Sequence, residues 1–202
     1  MIDLHCHILP YIDDGANDWD ESLEMSEIAR RDGVHTIVAT PHIKPGVCSP
    51  PKKLILSRVQ EINQLLENKI NSRDLQILAG ADTYLQPDIL HQIEEGTVLY
   101  VGGNINSMNP IHYLLLELPD YFLFPQVKDS FAKLKDKGII PILSHPERNA
   151  MIQRNSKLLY KLIQAGALSQ VTAMSITGEL SLIHISEPTR PLYISYAVFC
   201  LK

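Results

Sequence analysis

The sequence predicts an α/β protein in which short strands alternate with amphipathic helices. Strand-type runs occur at MIDLHCHI, VHTIVATPH, LQILAGAD, HYLLLELP and IIPILSHP, with a weaker one at LSQVTA. Helical patterns cover residues 19–32, 50–68, 125–137 and 155–165. Because the two kinds of element alternate, we expect a parallel sheet or barrel.

The first two helices show the clearest local signals. Asn17 or Asp18 can cap the start of the first helix, and Gly33 follows its end, as helix capping favours. The second helix has an apolar stripe with charged residues on its other faces. This stripe consists of Ile55, Val59, Ile62 and Leu66.

Composition limits the classes of protein that are possible. The 202 residues, 45% hydrophobic and 20% charged, describe one soluble globular domain. No apolar run reaches the roughly 20 residues of a membrane span, and the N-terminus lacks a secretory signal. The three cysteines form no paired framework, so we expect a cytoplasmic protein. A net charge of -5 argues against a nucleic-acid partner.

Two histidines stand two residues apart in the first predicted strand. Alternate side chains of a strand share one face, so His5 and His7 should point the same way and Cys6 the other way. Such a pair suits a metal ion. An exposed imidazole pair at a strand edge is the alternative, and the other strands decide between the two.

Every one of the first five predicted strands ends in an imidazole or a carboxylate. The carboxyl ends of parallel strands meet on one face of the sheet, so these side chains should converge. A histidine that caps a helix, or an ordinary loop acid, would explain any one of them alone. Mixed nitrogen and oxygen ligands suit Zn²⁺, Mn²⁺ or Fe, and so many ligands predict two or three ions, the arrangement used in phosphoryl transfer. The candidate ligands are His5, His7, Asp14, His42, Asp82, Glu117 and His145.

Arg148 is the candidate catalytic and substrate-binding residue. Its guanidinium could donate two hydrogen bonds to phosphate oxygens, and a surface ion pair with Glu147 is the alternative. A thiolate mechanism is disfavoured, since neither Cys6 nor Cys48 is followed six residues later by an arginine. The sequence therefore favours direct attack of water on phosphorus.

Five segments in this order resemble the polymerase and histidinol phosphatase (PHP) superfamily, and specifically its bacterial capsule-type protein-tyrosine phosphatases. The segments are DLHCHILPYIDDGA, TIVATPHI, GADTYL, LLLELP and PILSHPERN, and the resemblance extends from Met1 to about Glu179. It implies a distorted (β/α)7 TIM-like barrel and a site for up to three metal ions. Mn²⁺ is the expected metal, with Fe, Co²⁺ or Zn²⁺ as alternatives.

The resemblance also implies a substrate and a role for each matching residue. The substrate would be the phosphotyrosine tail of a bacterial tyrosine autokinase that controls capsule or exopolysaccharide synthesis. The seven candidate ligands match metal ligands, and Arg148 matches a phosphate contact. Position 82 is commonly Glu in this group, so Asp82 needs a small backbone shift to bridge two ions. A small-molecule phosphoesterase, such as a histidinol phosphatase, and an inactive fragment are the alternatives.

The end of the chain departs from the family pattern. The resemblance requires a later Asp-x-His pair, but no aspartate follows Asp136, and LSLIHISEPTR looks like a translated sequencing adapter. We therefore expect a partial phosphatase domain over residues 1–179 and an artefactual tail over 180–202, which leaves the barrel incomplete at its C-terminus. His184, in that tail, is expected to bind nothing, and the chain to have little activity.

Overall fold

The structure is a computed structural model that describes residues 1–70, 74–103, 111–172, 175 and 200–201. Its strands are β1 (Ile2–Cys6), β2 (Thr36–Ala39), β3 (His42–Ile43), β4 (Gln76–Ala79), β5 (Asp82–Tyr84), β6 (His112–Glu117), β7 (Ile139–Ser144), β8 (Leu168–Gln170) and β9 (Cys200–Leu201). Its α-helices are α1 (Trp19–Arg31), α2 (Lys52–Leu65), α3 (Ile89–Glu94), α4 (Val127–Asp136), α5 (Ala150–Arg154) and α6 (Lys157–Gln164). A π-helical turn, Leu66–Ile70, continues α2, and a 3₁₀ turn, Pro146–Arg148, follows β7.

The described strands form two sheets. The first has the order β1-β2-β4, and the second has the order β3-β5-β6-β7-β8-β9. Every pairing is parallel except that of β8 with β9. These parallel sheets confirm the predicted α/β class, but the described strands do not confirm the barrel implied by the resemblance.

The chain passes from the first sheet to the second at two adjacent places. β2 leads into β3 through Thr40 and Pro41, and β4 leads into β5 through Gly80 and Ala81. Proline has no N–H for a strand ladder. A Cβ on Gly80 would lie 2.7 Å from Cγ1 of Val38, so only glycine fits there without movement.

These breaks correct one expectation about the site. His42 and Asp82 were expected to end the second and third strands, but they begin β3 and β5 instead. The two residues are direct partners in the register of β3 with β5. The breaks therefore place the two side chains side by side at the start of the second sheet.

The described residues form two hydrophobic cores, one against each sheet. The first packs α1 and α2 against β1, β2 and β4, and its fully buried members include Ile37, Ile55, Ile62 and Ile77. The second packs α4 and α6 against β6 and β7, and its fully buried members include Leu114, Phe131, Leu134 and Leu143. Cys6 belongs to the first core, as expected for a side chain pointing away from His5 and His7.

The four predicted helices are confirmed as α1, α2, α4 and α6. Asp18 caps α1 by accepting a hydrogen bond from the backbone N–H of Glu21 at 2.9 Å. The predicted apolar stripe of α2 is buried in the first core. The short helices α3 and α5 were not predicted, because six and five residues show little periodicity.

Most of the predicted tail lies outside the described residues, and so does His184. Cys200 and Leu201 are described, and they pair antiparallel with Gln170 and Ser169. The boundary at residue 179 stays a prediction. None of the described helices has the length and apolar character needed to cross a membrane.

Candidate metal centre

Two imidazoles at the end of β1 face each other across a short gap. The Nε2 atoms of His5 and His7 lie 3.0 Å apart. Nδ1 of His5 lies 3.0 Å from Oε1 of Gln170, and Nδ1 of His7 lies 2.7 Å from Oδ2 of Asp13. Amide and carboxylate oxygens accept hydrogen bonds, so both Nδ1 atoms are assigned as donors. Each Nε2 atom is then left with a free lone pair when its ring is neutral.

In this tautomer the Nε2 atom of each ring is free to bind a metal ion. Burial, which outweighs the opposing effect of Asp82, lowers the pKa of His5 to about 3, so this ring is neutral near pH 7. A neutral His7 presents a second lone pair to it, and two lone pairs at this distance repel unless a cation accepts both. Histidine ligands characteristically donate their other ring N–H to an oxygen in this way. The pair thus fits a metal ion.

The loop after β1 returns to hold His7 in place. The backbone N–H of Ala16 donates to the carbonyl oxygen of His7 at 3.1 Å. A Cβ on Gly15 would lie 2.0 Å from that oxygen, so the loop can approach only with glycine at this position. Asp13 accepts two further bonds, from the backbone N–H of Gly15 at 3.1 Å and of His42 at 2.9 Å. Burial raises the pKa of Asp13, but its interactions with His7 and with the backbone N–H groups of His42 and Gly15 together outweigh burial and hold this pKa below its usual value.

Asp82 stands at the centre of the site. Its Oδ1 atom accepts a hydrogen bond from the Ser144 hydroxyl at 2.7 Å. Its Oδ2 atom lies 3.7 Å from His5 Nε2, 3.6 Å from His42 Nδ1 and 3.5 Å from His145 Nε2. Burial opposes ionisation, but the surrounding imidazoles hold the pKa of Asp82 well below its usual range.

Oδ2 of Asp82 is fully buried and has no hydrogen-bond partner among the described residues, and the same is true of His42 Nδ1 and Glu117 Oε2. Buried polar atoms are almost always satisfied, so three unsatisfied ones together require an explanation. A cation among them would satisfy all three.

His42 and Glu117 form the side of the site beyond Asp82. His42 Nδ1 lies 3.5 Å from Glu117 Oε2, and Glu117 Oε1 lies 3.5 Å from Lys44 Nζ. Burial lowers the pKa of His42, but the carboxylates of Glu117, Asp82 and Asp14 outweigh it and raise the pKa to about 9. For Glu117 burial again opposes the charge, and His42 keeps its pKa below the usual value.

His145 follows β7 in a strained backbone conformation. Its φ of 32° and ψ of 53° fall in the left-handed region, which is costly for a residue with a side chain. The residue is buried, and its ring centroid lies 5.6 Å from that of His5. In this conformation, just before the 3₁₀ turn, the imidazole faces Asp82, with its Nε2 atom 3.5 Å from Oδ2.

Asp14 and Arg148 are the exposed members of the predicted set. Asp14 Oδ1 lies 3.8 Å from His7 Nδ1 and 3.7 Å from His42 Nε2, although its side chain is 80% exposed. Arg148 is exposed on the 3₁₀ turn. Within the described residues it has no ion pair with Glu147, whose Oε1 accepts bonds from Thr172 instead. The proposed phosphate contact of Arg148 stays a prediction.

The converging side chains form three overlapping donor groups, each with ligand atoms within 4.8 Å of one another. Asp82 belongs to two of them and His7 to two. The groups are His5–Asp82–His145, His7–His42–Asp82 and His7–Asp13–Asp14. Glu117 is outside these groups but contacts His42. Six of the seven predicted ligands thus share the three groups, and imidazole with carboxylate donors suits Zn²⁺, Mn²⁺ or Fe.

Sequence reasoning missed the residues that orient the ligands. Asp13 is adjacent to Asp14 in the sequence, but only Asp14 was predicted to have a role. Gln170 and Ser144 carry no sequence signal, because they reach the site from β8 and from the end of β7. Lys44 follows His42 by two residues in an extended segment, and that same-face spacing could have indicated it.

A cluster of imidazoles and carboxylates where two parallel sheets of an α/β fold meet is the kind of site that metal-dependent hydrolases use. The family model described as "Capsular polysaccharide synthesis, CpsB/CapC" matches residues 1–192. The chain belongs to this family. The family and its named relatives agree with the resemblance in the sequence.

The curated relatives are tyrosine phosphatases. Tyrosine-protein phosphatase YwqE of Bacillus subtilis (strain 168) is 36% identical over 179 residues, which cover 88% of this chain and 66% of YwqE. Tyrosine-protein phosphatase CpsB of Streptococcus pneumoniae is 28% identical over 177 residues, or 88% of this chain and 69% of CpsB. The chain therefore spans about two thirds of the length of these relatives.

A solved structure has the same fold. It comes from the crystal structures of YwqE from Bacillus subtilis and CpsB from Streptococcus pneumoniae, described as unique metal-dependent tyrosine phosphatases. The TM-score is 0.80 at 34% identity, and the match covers 92% of this chain and 72% of that chain. Metal dependence in this neighbour agrees with the donor set found here.

Proposed function

We propose that this chain forms the metal centre of a manganese-dependent protein-tyrosine phosphatase whose substrate is the phosphotyrosine tail of a bacterial tyrosine autokinase. The observation that supports it most is the facing pair of Nε2 atoms of His5 and His7, 3.0 Å apart, with both Nδ1 atoms bonded to oxygens. The named activity of the relatives supports the reaction class. The distorted barrel and the cytoplasmic location expected from the sequence belong to the same proposal.

The three overlapping donor groups agree with a site for up to three ions. His5 and His7 would hold one ion between their Nε2 atoms, close to the carboxylate of Asp82. His42 and His145 would bind a further ion or ions through the same carboxylate. Asp14 lies on the solvent-exposed side of this arrangement, and Glu117 lies on its buried side. Bound cations would activate water and neutralise phosphate oxygens.

The side chains of this chain contribute orientation and charge. Asp13 and Gln170 fix the tautomers of His7 and His5, so that their Nε2 atoms stay available. Ser144 fixes the carboxylate plane of Asp82. Arg148, exposed beside His145, would donate to the phosphate of the bound phosphotyrosine and stabilise the charge that develops during transfer.

A comparison of substrates tests this proposal. The chain is treated with a chelator, reloaded with Mn²⁺ and assayed against a phosphotyrosine peptide and small phosphate esters, including histidinol phosphate. We expect weak hydrolysis that depends on Mn²⁺ and favours the peptide, because the sequence predicts little activity for this chain. Preference for histidinol phosphate would favour the small-molecule phosphoesterase, and metal binding without hydrolysis would favour an inactive fragment.

Histidine variants connect activity to the site. H7A and H42A should each lose most of the bound metal together with the activity. H91A is the matched control, since His91 is exposed on α3 and pairs only with Glu95 among the described residues. Full Mn²⁺-dependent turnover by H7A or H42A would refute the assignment of the site.

A further inference from the structure

Lys44 places an ammonium group at the edge of the metal centre. Its Nζ atom lies 3.5 Å from Oε1 of Glu117 and 4.7 Å from the ring centroid of Tyr84. About a quarter of the side chain is exposed, 26%, so the group is reachable from solvent. Among the ion pairs of the described residues, this one alone joins a lysine or an arginine to a predicted ligand.

The backbone of Lys44 is firmly held. Lys44 and Cys48 exchange two backbone hydrogen bonds, 2.6 and 2.9 Å long, that close a tight turn after β3. The Cys48 thiol donates to the carbonyl oxygen of Ile12 at 3.1 Å, which connects this turn to the loop that carries Asp13. The root of the Lys44 side chain therefore has a fixed position relative to the ligands.

The aromatic ring of Tyr84 directs the rest of the side chain. A lysine ammonium over the face of an aromatic ring is attracted by the ring quadrupole. Tyr84 and Glu117 are direct partners in the register of β5 with β6, so ring and carboxylate lie next to each other. Together, the Tyr84 ring and the Glu117 carboxylate hold the Lys44 ammonium group next to the Glu117 side chain.

The binding partner of the Lys44 ammonium group depends on whether Glu117 coordinates a metal ion. Without cations, Glu117 is its partner. When Glu117 coordinates a metal ion, its negative charge is shared with that ion and its hold on Lys44 weakens. The ammonium carries three donors, and a phosphate dianion is a stronger partner than a coordinated carboxylate.

We propose that Lys44 is a substrate-binding residue, which donates a hydrogen bond to a non-bridging phosphate oxygen while Tyr84 holds its side chain in place. This inference rests on the proposed phosphatase function. Lys44 is not one of the predicted metal ligands, and the inference gives it a contact with the phosphate of the substrate.

Binding of inorganic phosphate to the Mn²⁺-loaded chain tests the inference without requiring turnover. K44M should bind phosphate about ten- to a hundredfold more weakly, the usual effect of a lost hydrogen bond to a charged group. K44R keeps the charge and should lie closer to the parent chain than to K44M. Y84L should weaken binding in the same direction but less.

The control is K137M. Lys137, directly after α4, pairs with Glu94 of α3 at 3.2 Å, so the same substitution there should leave phosphate binding unchanged. Bound metal and melting temperature are measured for every variant. Unchanged phosphate affinity in K44M, or loss of its metal, would overturn the inference, the latter because Lys44 would then act through Glu117.

The outcome is separable from that of the proposed function. If the parent chain binds phosphate but hydrolyses no ester, the proposed function fails while the K44M comparison still decides the role of Lys44. If the parent chain is an active phosphatase and K44M keeps the parent KM for phosphotyrosine peptide, only the inference fails.

Discussion

Asp13 and Asp14 are adjacent carboxylates with opposite surroundings. The side chain of Asp13 is 2% exposed, and that of Asp14 is 80% exposed. Asp13 accepts hydrogen bonds from His7 Nδ1 and from the backbone N–H groups of Gly15 and His42. We therefore expect D13A to weaken both the fold and the metal centre, whereas D14A should affect only the metal.

The loss of stability follows from the bonds that disappear. D13A leaves two backbone N–H groups without their acceptor, at about 1–3 kcal/mol each, and because both bonds are only partly buried the lower end applies. The free energy of unfolding should fall by about 2 kcal/mol. For a chain of this length that is a drop of roughly 4–8 °C in melting temperature.

The loss of metal affinity follows from the freed imidazole. Removal of a carboxylate that orients a ligating histidine typically lowers metal affinity about 10- to 100-fold. That corresponds to about 1.4–2.8 kcal/mol of binding free energy. D14A should also bind Mn²⁺ more weakly, since Asp14 lies within 4 Å of two predicted imidazole ligands.

Two measurements check this prediction. Thermal melting in the presence of a chelator reports the stability of the metal-free fold, and competition with a metal indicator reports Mn²⁺ affinity. D13A should have a lower melting temperature and a lower Mn²⁺ affinity than the parent chain. D14A should keep the parent melting temperature. Equal melting temperatures for D13A and the parent, together with equal Mn²⁺ affinity, would refute the role given to Asp13.

Three further predictions concern the remaining parts of the site. R148K keeps the charge but loses the two-pronged donor, so KM for phosphotyrosine peptide should rise several-fold at unchanged metal content; an unchanged kcat/KM would leave Arg148 without this role. In metal-free protein the pKa of His42 is raised from 6.5 to about 9, so the protonated imidazole stabilises the folded state. This stabilisation is complete below about pH 6.5 and disappears as the pH rises through 9. Melting curves of the parent and H42Q between pH 6 and 10 check this, and a parallel pH dependence would contradict it. G15A would bring a Cβ to 2.0 Å from the carbonyl oxygen of His7, so the loop must move and Mn²⁺ affinity should fall at least tenfold; parent-like affinity in a metal titration would show that the loop is not needed.

Much of the site could be predicted from the sequence because it depends on strand geometry. The alternation of side chains in β1 brought His5 and His7 to one face, and their Nε2 atoms do meet. The meeting of parallel strand ends placed Glu117 and His145 near Asp82, as expected. Both rules act on the backbone and need no knowledge of neighbouring side chains.

The rest depends on local conformations and distant partners. Asp13 points inward and Asp14 outward in a loop where Tyr11 has a φ of 61°. The sequence of two adjacent aspartates does not indicate which of them is buried. The chain crosses between sheets at Pro41 and Gly80, so His42 and Asp82 begin strands instead of ending them. Gln170 bonds to His5 across a sequence separation of 165 residues, which no local pattern encodes.

Anomalous diffraction at the manganese absorption edge, from crystals of the Mn²⁺-loaded chain, tests the metal centre most directly. We expect one peak at coordination distance from the Nε2 atoms of His5 and His7, and peaks that share Oδ2 of Asp82. Growth in a chelator should remove them. Full Mn²⁺ loading without any peak in contact with His5, His7 or Asp82 would contradict the proposed metal centre.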